Sequence, residues 1–410
     1  MGPMNLHFDF RDVFRAPRLA LSGKKIWTLL EANIVGYAVY WILTYVSLAV
    51  SGIPFSQAWA KYGLYPCLVG NEGNWASYAI WTAGVIFWLA ALVLGATAVS
   101  RITYKQLKGD EFYSSGDAWR FVKKHWHAPV FTHLSVAIIA LFFVVMAVVF
   151  GLIGKIPYLG ELFFGIPYLL WFFGSVFVVY TAVVLVVSFF FTHAIVATLE
   201  EDTMGSVFQN YSITWSQPWR AVVYLVLLGG LIYVGVTVFT WFLSAGYGLI
   251  NLVFGHTWLM GSKLASMMSW SSDIVLDRLS PGLWYLGFSA SPSTIIDIPA
   301  GGPLSAVEYV GGFFIAVSLF LVVASVISYA LSVQVVGETL AVVIFRKKTD
   351  DENLLERKDE EELEAEEEAA PEAPPEVGKP EEEKAKAEAA EESEEPEEES
   401  DEEPSSQEED

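Results

Sequence analysis

Six continuous apolar runs constrain this chain more than any other feature. They cover roughly Trp27 to Ser51, Ser77 to Ser100, Phe131 to Gly154, Phe164 to Phe190, Ala221 to Tyr247 and Val310 to Val336. A helix crossing hydrocarbon needs about 20 mostly apolar residues, and every run reaches that length. In lipid each backbone donor and acceptor must be satisfied within the segment, which leaves helices and closed barrels. A barrel strand alternates over about ten residues, whereas Val136 to Gly151 is apolar almost without interruption. The expected fold class is all-α: a polytopic transmembrane helical bundle of six spans.

Basic residues set the expected orientation. Of the 19 Lys and Arg residues before Thr349, 15 fall on one side of these spans, and only Lys61, Lys155, Lys263 and Arg278 fall on the other. Positive charge near span ends resists translocation, so both termini are expected in the cytoplasm. An even number of spans agrees. The first apolar run starts too late, and lacks the small-residue pattern, for a cleavable signal peptide.

The formal net charge of −23 is carried by one end of the chain. From Asp350 to Asp410 there are 31 acidic and 5 basic residues, whereas the remainder holds 16 acidic and 19 basic. Glu, Ala, Pro and Ser dominate that tail, and a segment so poor in apolar residues cannot bury enough surface to fold. Three parts are therefore expected: a cytoplasmic amphipathic segment over 1–26, a six-span membrane domain over 27–348 with an external loop at 251–308, and a disordered acidic tail over 349–410. The tail reads as a solvating appendage or as an arm for a basic protein partner. No nucleic-acid partner is expected. Cys67 is the only cysteine, which rules out an internal disulfide and a cysteine metal cluster.

The spans group as three hairpins, each preceded by an amphipathic segment: Leu6 to Lys25, Asp117 to His127 and Met204 to Arg220. Basic and aromatic residues interleave there, as suits the headgroup layer. Arg11, Arg15, Arg18, Arg120, Lys123 and Lys124 are the lipid-headgroup candidates. Each basic side chain near an anionic surface contributes roughly 1 kcal/mol. Repeats of two spans and a surface helix suggest the mitochondrial carriers, but the proline–acid–base signature of that family is absent. The even-numbered spans continue as helix past the apolar run, which predicts a shared collar of helix ends.

Three stretches carry a resemblance. They are Phe14-Arg-Ala-Pro-Arg-Leu-Ala-Leu-Ser-Gly-Lys-Lys-Ile-Trp27; Ala98 to Tyr104 leading to Asp117-Ala-Trp-Arg-Phe121; and Glu200-Glu-Asp-Thr-Met204 followed by Gln217-Pro-Trp-Arg220. Through them the chain resembles a group of uncharacterised multi-pass bacterial membrane proteins. The resemblance implies a shared architecture over most of the membrane part, and no activity.

Chemistry-bearing residues are sparse. Ionisable groups inside spans are costly and usually mark function. Glu31, His133, His193 and Glu338 sit near span ends, where they are expected to reach water. His125 and His127 form a His-x-His pair whose side chains would point apart on a helix, with no third ligand. Pro157 and Pro167, in the similar pieces Ile156-Pro-Tyr-Leu and Ile166-Pro-Tyr-Leu, shape a turn and the start of a span. Trp258, Met260, Leu264, Met267, Met268 and Trp270 suggest a helix lying on the outer leaflet. Nothing pairs a nucleophile with a base, and neither a cofactor nor catalysis is expected. The expected function is a non-catalytic scaffold or accessory protein organising partners or lipid. The competing reading is a transporter or channel for a small or lipophilic substrate.

Overall fold

The computed structural model describes residues 3–276 and 304–363. The expected acidic tail beyond 363 and the middle of the expected external loop lie outside the described residues. The chain divides into two units, Met1–Arg357 and Lys358–Asp410. Among the described residues every regular element is a helix.

Among the described residues of the first unit thirteen helices follow one another. They are α1 (Phe10–Val13), α2 (Ala16–Ala20), α3 (Gly23–Val50), α4 (Phe55–Tyr62), α5 (Trp75–Lys108), α6 (Ser115–His125), α7 (His127–Ile153), α8 (Leu159–Gly165), α9 (Tyr168–Leu199), α10 (Thr203–Ser216), α11 (Pro218–Phe254), α12 (Ser262–Val275) and α13 (Ala306–Thr349). Six of them, α3, α5, α7, α9, α11 and α13, are long and apolar enough to cross a membrane. The fourth begins at Tyr168 rather than Phe164, because Pro167 breaks the chain there and Phe164 belongs to the short α8.

Side chains set most helix boundaries. Asn74 caps α5 by accepting from the Ser77 amide at 2.8 Å, and α5 ends at Gly109 in the left-handed region, φ 103°. Ser114 with Asp117 and Ser305 with Glu308 form capping boxes at the starts of α6 and α13. Asp202 caps α10 through the Gly205 amide at 2.7 Å.

Consecutive long helices pack together: α3 on α5, α7 on α9, and α11 on α13. The α3–α5 contact is close enough to demand small residues. A methyl group added at Gly36 would stand 2.6 Å from the Trp88 ring, and one at Gly95 would stand 2.6 Å from Ala32. Toward the far ends the apolar side chains face outward. Leu141, Phe142, Leu169, Leu170, Phe172 and Phe173 are all exposed, which a water-soluble protein would not tolerate over so wide an area.

Buried residues concentrate at the opposite end. The 34 residues of α5 and 44 of α13 amount to about 50 Å and 65 Å of helix, well beyond the roughly 30 Å of a hydrocarbon core. The surplus turns of α5, α9 and α13 pack against one another and bury nearly every side chain from Ala194 to Leu199 and from Val335 to Phe345. This is the collar, and it holds the largest cluster of buried apolar residues. Apolar residues of the connecting helices also pack on protein: Ala118, Phe121 and Val122 of α6 sit against Ala98 and Ile102 of α5.

At the end away from the collar, the segment after α4 folds back against α3. The Tyr45 hydroxyl donates to the Gly63 carbonyl at 2.5 Å, Tyr37 to Leu64 at 2.6 Å and Tyr40 to Pro66 at 2.8 Å. α12 packs lengthwise on α13, with the Ser271 hydroxyl donating to the Gly312 carbonyl at 2.7 Å. Of the residues that suggested a surface helix, Met267 faces Gly311 and Trp270 faces Gly312, whereas Trp258 and Met260 precede α12 and are exposed.

Candidate functional site: a buried polar collar

The surplus turns carry the sequence's few polar residues at helix spacing, and packing the three helix ends encloses them. Arg101 of α5 is fully buried. Its Nη2 lies 2.9 Å from Glu200 Oε1, and its Nη1 donates to the Ala197 carbonyl at 3.1 Å. The guanidinium also stands over the Phe121 ring at 4.3 Å, a stacking that suits Arg better than Lys. Glu200 ends α9 in the left-handed region, φ 59°, which turns the chain toward α10 and leaves its carboxylate against α5.

A second pair joins α9 to α13. His193 Nε2 lies 3.2 Å from Glu338 Oε2, with side chains 7% and 1% exposed. Gln334, one turn earlier, donates to Glu338 Oε1 at 3.0 Å. Thr339 donates to Ser100 at 3.0 Å, tying α13 to α5. At the start of α3, buried Lys25 donates to Gln106 Oε1 at 2.8 Å and to the Leu19 carbonyl at 3.1 Å. Desolvating such charges costs several kcal/mol each, offset only where partners are close.

The last residue of α13 and the chain after it complete this end. Thr349 receives a hydrogen bond from Gln217, the Leu354 carbonyl accepts from Tyr104 at 2.8 Å, and the Arg357 carbonyl accepts from Lys108 at 2.7 Å. Leu354 and Leu355 are buried. The first turns of the acidic segment are thus part of the first unit. Farther out, Asp351 pairs with Lys347 at 2.8 Å. The hydrogen bond from that ammonium, then its charge, hold the Asp351 carboxyl below its ordinary value.

Two expectations are overturned. Glu338 and His193 do not reach water: the helix overhang that carries them is covered on all sides by protein. Arg101 and Lys25, counted above among the flanking positive charges, are interior. Buried charge is therefore present where the sequence suggested little. The signal that could have found it is a charged residue placed on a helix beyond the length the membrane needs.

The lipid-headgroup candidates fall into two groups on different elements. Arg11 and Arg18 are exposed on α1 and α2; Arg15 lies 3.7 Å from Asp12 and donates to the Asn5 carbonyl at 2.8 Å. Arg120, Lys123 and Lys124 are exposed on α6, with Arg120 3.3 Å from Asp117. Glu31 accepts from the Trp119 indole at 3.2 Å. Among the described residues no three His, Cys, Asp or Glu side chains gather as a metal site would require.

Six spans and a polar collar define a multi-pass helical membrane protein. Comparison with protein-family models, with curated proteins and with solved structures returned no match for this chain.

Proposed function

We propose that the protein is a membrane scaffold, non-catalytic, that holds three two-helix hairpins in a fixed arrangement and presents the collar and its tail to partners and lipid. One observation carries this reading: the point where α5, α9 and α13 converge is filled by Arg101, Tyr104, Ile195 and Leu340, each under 2% exposed. A conduit along the bundle axis has no room there. In this reading each hairpin begins with an interfacial segment. Exposed Phe10, Phe14, Trp126, Phe208, Trp215 and Trp219 are aromatic anchors for the headgroup layer. The six basic candidates contact anionic lipid, the termini face the cytoplasm of a bacterial membrane, and the acidic tail recruits a basic partner.

The test is co-purification from native membranes in mild detergent, comparing the full chain with a truncation after Arg357, alongside flux measurements in proteoliposomes. A stoichiometric partner lost with the tail supports the scaffold. A protein that emerges alone and drives solute flux refutes it.

The transporter reading is favoured by a different observation, the enclosed Arg101–Glu200 and His193–Glu338 pairs, because charges inside a membrane protein often line a pathway. Their position in the overhang, past the apolar part of each span, suits a clasp better.

A further inference from the structure

The short helices that lead into the spans rest mainly on the pair before. α6 leads into α7 yet packs on α5, and α10 leads into α11 yet packs on α7 and α9. α1 and α2 have no pair before them, and they pack on the last one, α11 and α13. Hydroxyls of α13 hold them there: Tyr329 donates to the Pro17 carbonyl at 3.3 Å and Ser332 to the Ala20 carbonyl at 3.2 Å. Gly235 of α11 faces the same place, where an added methyl group would stand 3.7 Å from the Pro17 Cβ. At its other end the segment is tied to the first pair, because the Met4 amide donates to the Leu107 carbonyl at 2.8 Å. Residues 4–20 thus lie as a strap across the first and last pairs, which also meet directly at Tyr37 and Phe320, 6.2 Å between rings.

The strap has two faces. Val13, Ala16 and Ala20 are fully buried, and Asp12 is buried with them. Neither Asp12 carboxylate oxygen has a hydrogen-bond donor among the described residues. Arg15 Nη1 stands 3.7 Å away and donates instead to the Asn5 carbonyl at 2.8 Å. Burying a carboxylate on those terms is costly. The outward face interleaves apolar and basic side chains: Phe10, Arg11, Phe14, Arg18 and Leu21 are all exposed. Arg11 is only loosely paired, its Nε 3.8 Å from Asp9, with 70% of its side chain exposed. The larger apolar groups therefore point away from the protein, beside guanidinium groups whose planar fork matches phosphate oxygens.

Helices of four and five residues do not hold their shape alone, so docking is what orders the strap. It sets Arg11, Arg18, Phe10 and Phe14 in one array, and it takes the negative charge of Asp12 off the outward side. We propose that the strap is a clamp worked by anionic phospholipid. Phosphate groups bound at Arg11 and Arg18 hold residues 4–20 against α11 and α13, and in neutral lipid the strap detaches as a unit. A lipid that meets the docked array pays no ordering cost and meets no repulsion from Asp12, so it favours the docked state. By linkage the docked state favours the lipid equally. The cost of burying Asp12 keeps the two states close enough for lipid to decide between them. The inference rests on the lipid contact proposed above for Arg11 and Arg18, and adds its consequence: the seam between the first and last pairs is strapped in an anionic membrane and loose in a neutral one.

The test uses the full chain with Cys67→Ser, in nanodiscs of phosphatidylcholine alone or mixed equally with phosphatidylglycerol. Spin labels at His7→Cys and Lys348→Cys report docking, since both residues are exposed and line one surface depression. Docked molecules give a short, narrow distance and detached ones a broad, long one. Phosphatidylglycerol should raise the docked-to-detached ratio on the order of tenfold, as two basic side chains near an anionic surface allow. Arg11→Gln with Arg18→Gln should remove that rise and leave the ratio in neutral lipid unchanged. Phosphatidylglycerol retained per protein, measured on the same samples, should fall in that double variant. Gly235→Val, which crowds Pro17, should detach the strap in both lipids and lower retention to the same level. A ratio that ignores phosphatidylglycerol or falls with it overturns the clamp, as does full retention in Gly235→Val. The lipid contact itself survives such a result if the double variant still loses retention, and falls with the clamp if it does not.

Discussion

His193 of α9 and Glu338 of α13 face each other at 3.2 Å inside the collar, one from the second pair of spans and one from the third. Among the described residues each is the other's ion-pair partner, so each makes the other's burial tolerable. Removing one partner strands the other. Glu338→Ala is expected to cost about 3–5 kcal/mol, while His193→Phe combined with Glu338→Leu recovers most of that loss. Denaturant unfolding in detergent micelles of the two single variants and the pair decides it. Equal losses for single and double variants would refute the pairing.

Arg101 makes an analogous prediction with a sharper chemical control. The side chain bridges the Glu200 carboxylate and the Ala197 carbonyl while covering Phe121. Lys carries the same charge but cannot make both contacts or stack in the same plane. Arg101→Lys should therefore destabilise by about 1–3 kcal/mol, the cost of leaving a buried acceptor unmet. Thermal unfolding of the variant is the measurement, with Lys124→Arg on exposed α6 as the neutral comparison.

Gly337 lies where a methyl group would run into the Leu228 side chain. Gly337→Ala is expected to cost about 1–3 kcal/mol through overpacking. Leu228→Ala in the same chain should restore part of that, because it empties the space the methyl group enters. Additive losses in the double variant would show that the two positions do not touch.

Truncation should distinguish two halves of what the sequence presents as one tail. Ending the chain after Lys348 removes buried Leu354 and Leu355 and the acceptor for Tyr104, and should lower stability by about 2–5 kcal/mol. Ending it after Arg357 leaves each of those contacts in place, and the unfolding midpoint should not move.

Asp351 offers a pH readout at the surface. Its carboxyl is held below the ordinary range by Lys347, so the pair persists as pH falls through the usual carboxylate range and dissolves only below it. An NMR titration of the carboxyl should show a low midpoint that returns to the ordinary value in Lys347→Ala. The contribution to stability is present above that midpoint, lost below it, and small because the carboxylate is open to solvent.

The spans were legible because hydrocarbon imposes length and apolarity residue by residue. The run from Phe131 to Gly154 leaves little else for that segment to be. The helical overhang was legible too, since nothing after Ser100 or Phe191 breaks the helix. What the overhang does was not. Arg101 reads as one more flanking cation until α9 supplies Glu200 beside it, and Glu338 reads as a residue reaching for water until His193 arrives from a helix synthesised far earlier. Hydropathy reports the solvent of a segment and is silent about which segments meet. The same blindness hid α4, whose mixed composition is that of a surface loop, and hid that the helix expected around Leu264 to Trp270 packs on α13. The six basic candidates already fell in two separate stretches of sequence, and the structure places them around α1 and α2 and on α6.

The collar also orders events during biosynthesis. Helices α3 to α9 emerge from the ribosome with Ser100 and His193 already in place, while the residues that answer them, Thr339 and Glu338, lie on the last long helix. The earlier helices can enter the bilayer in turn, but the clasp between them closes only when α13 is complete. A chain cut short before that point carries uncompensated polar groups at its base, a mark by which quality control can tell an unfinished molecule from a finished one.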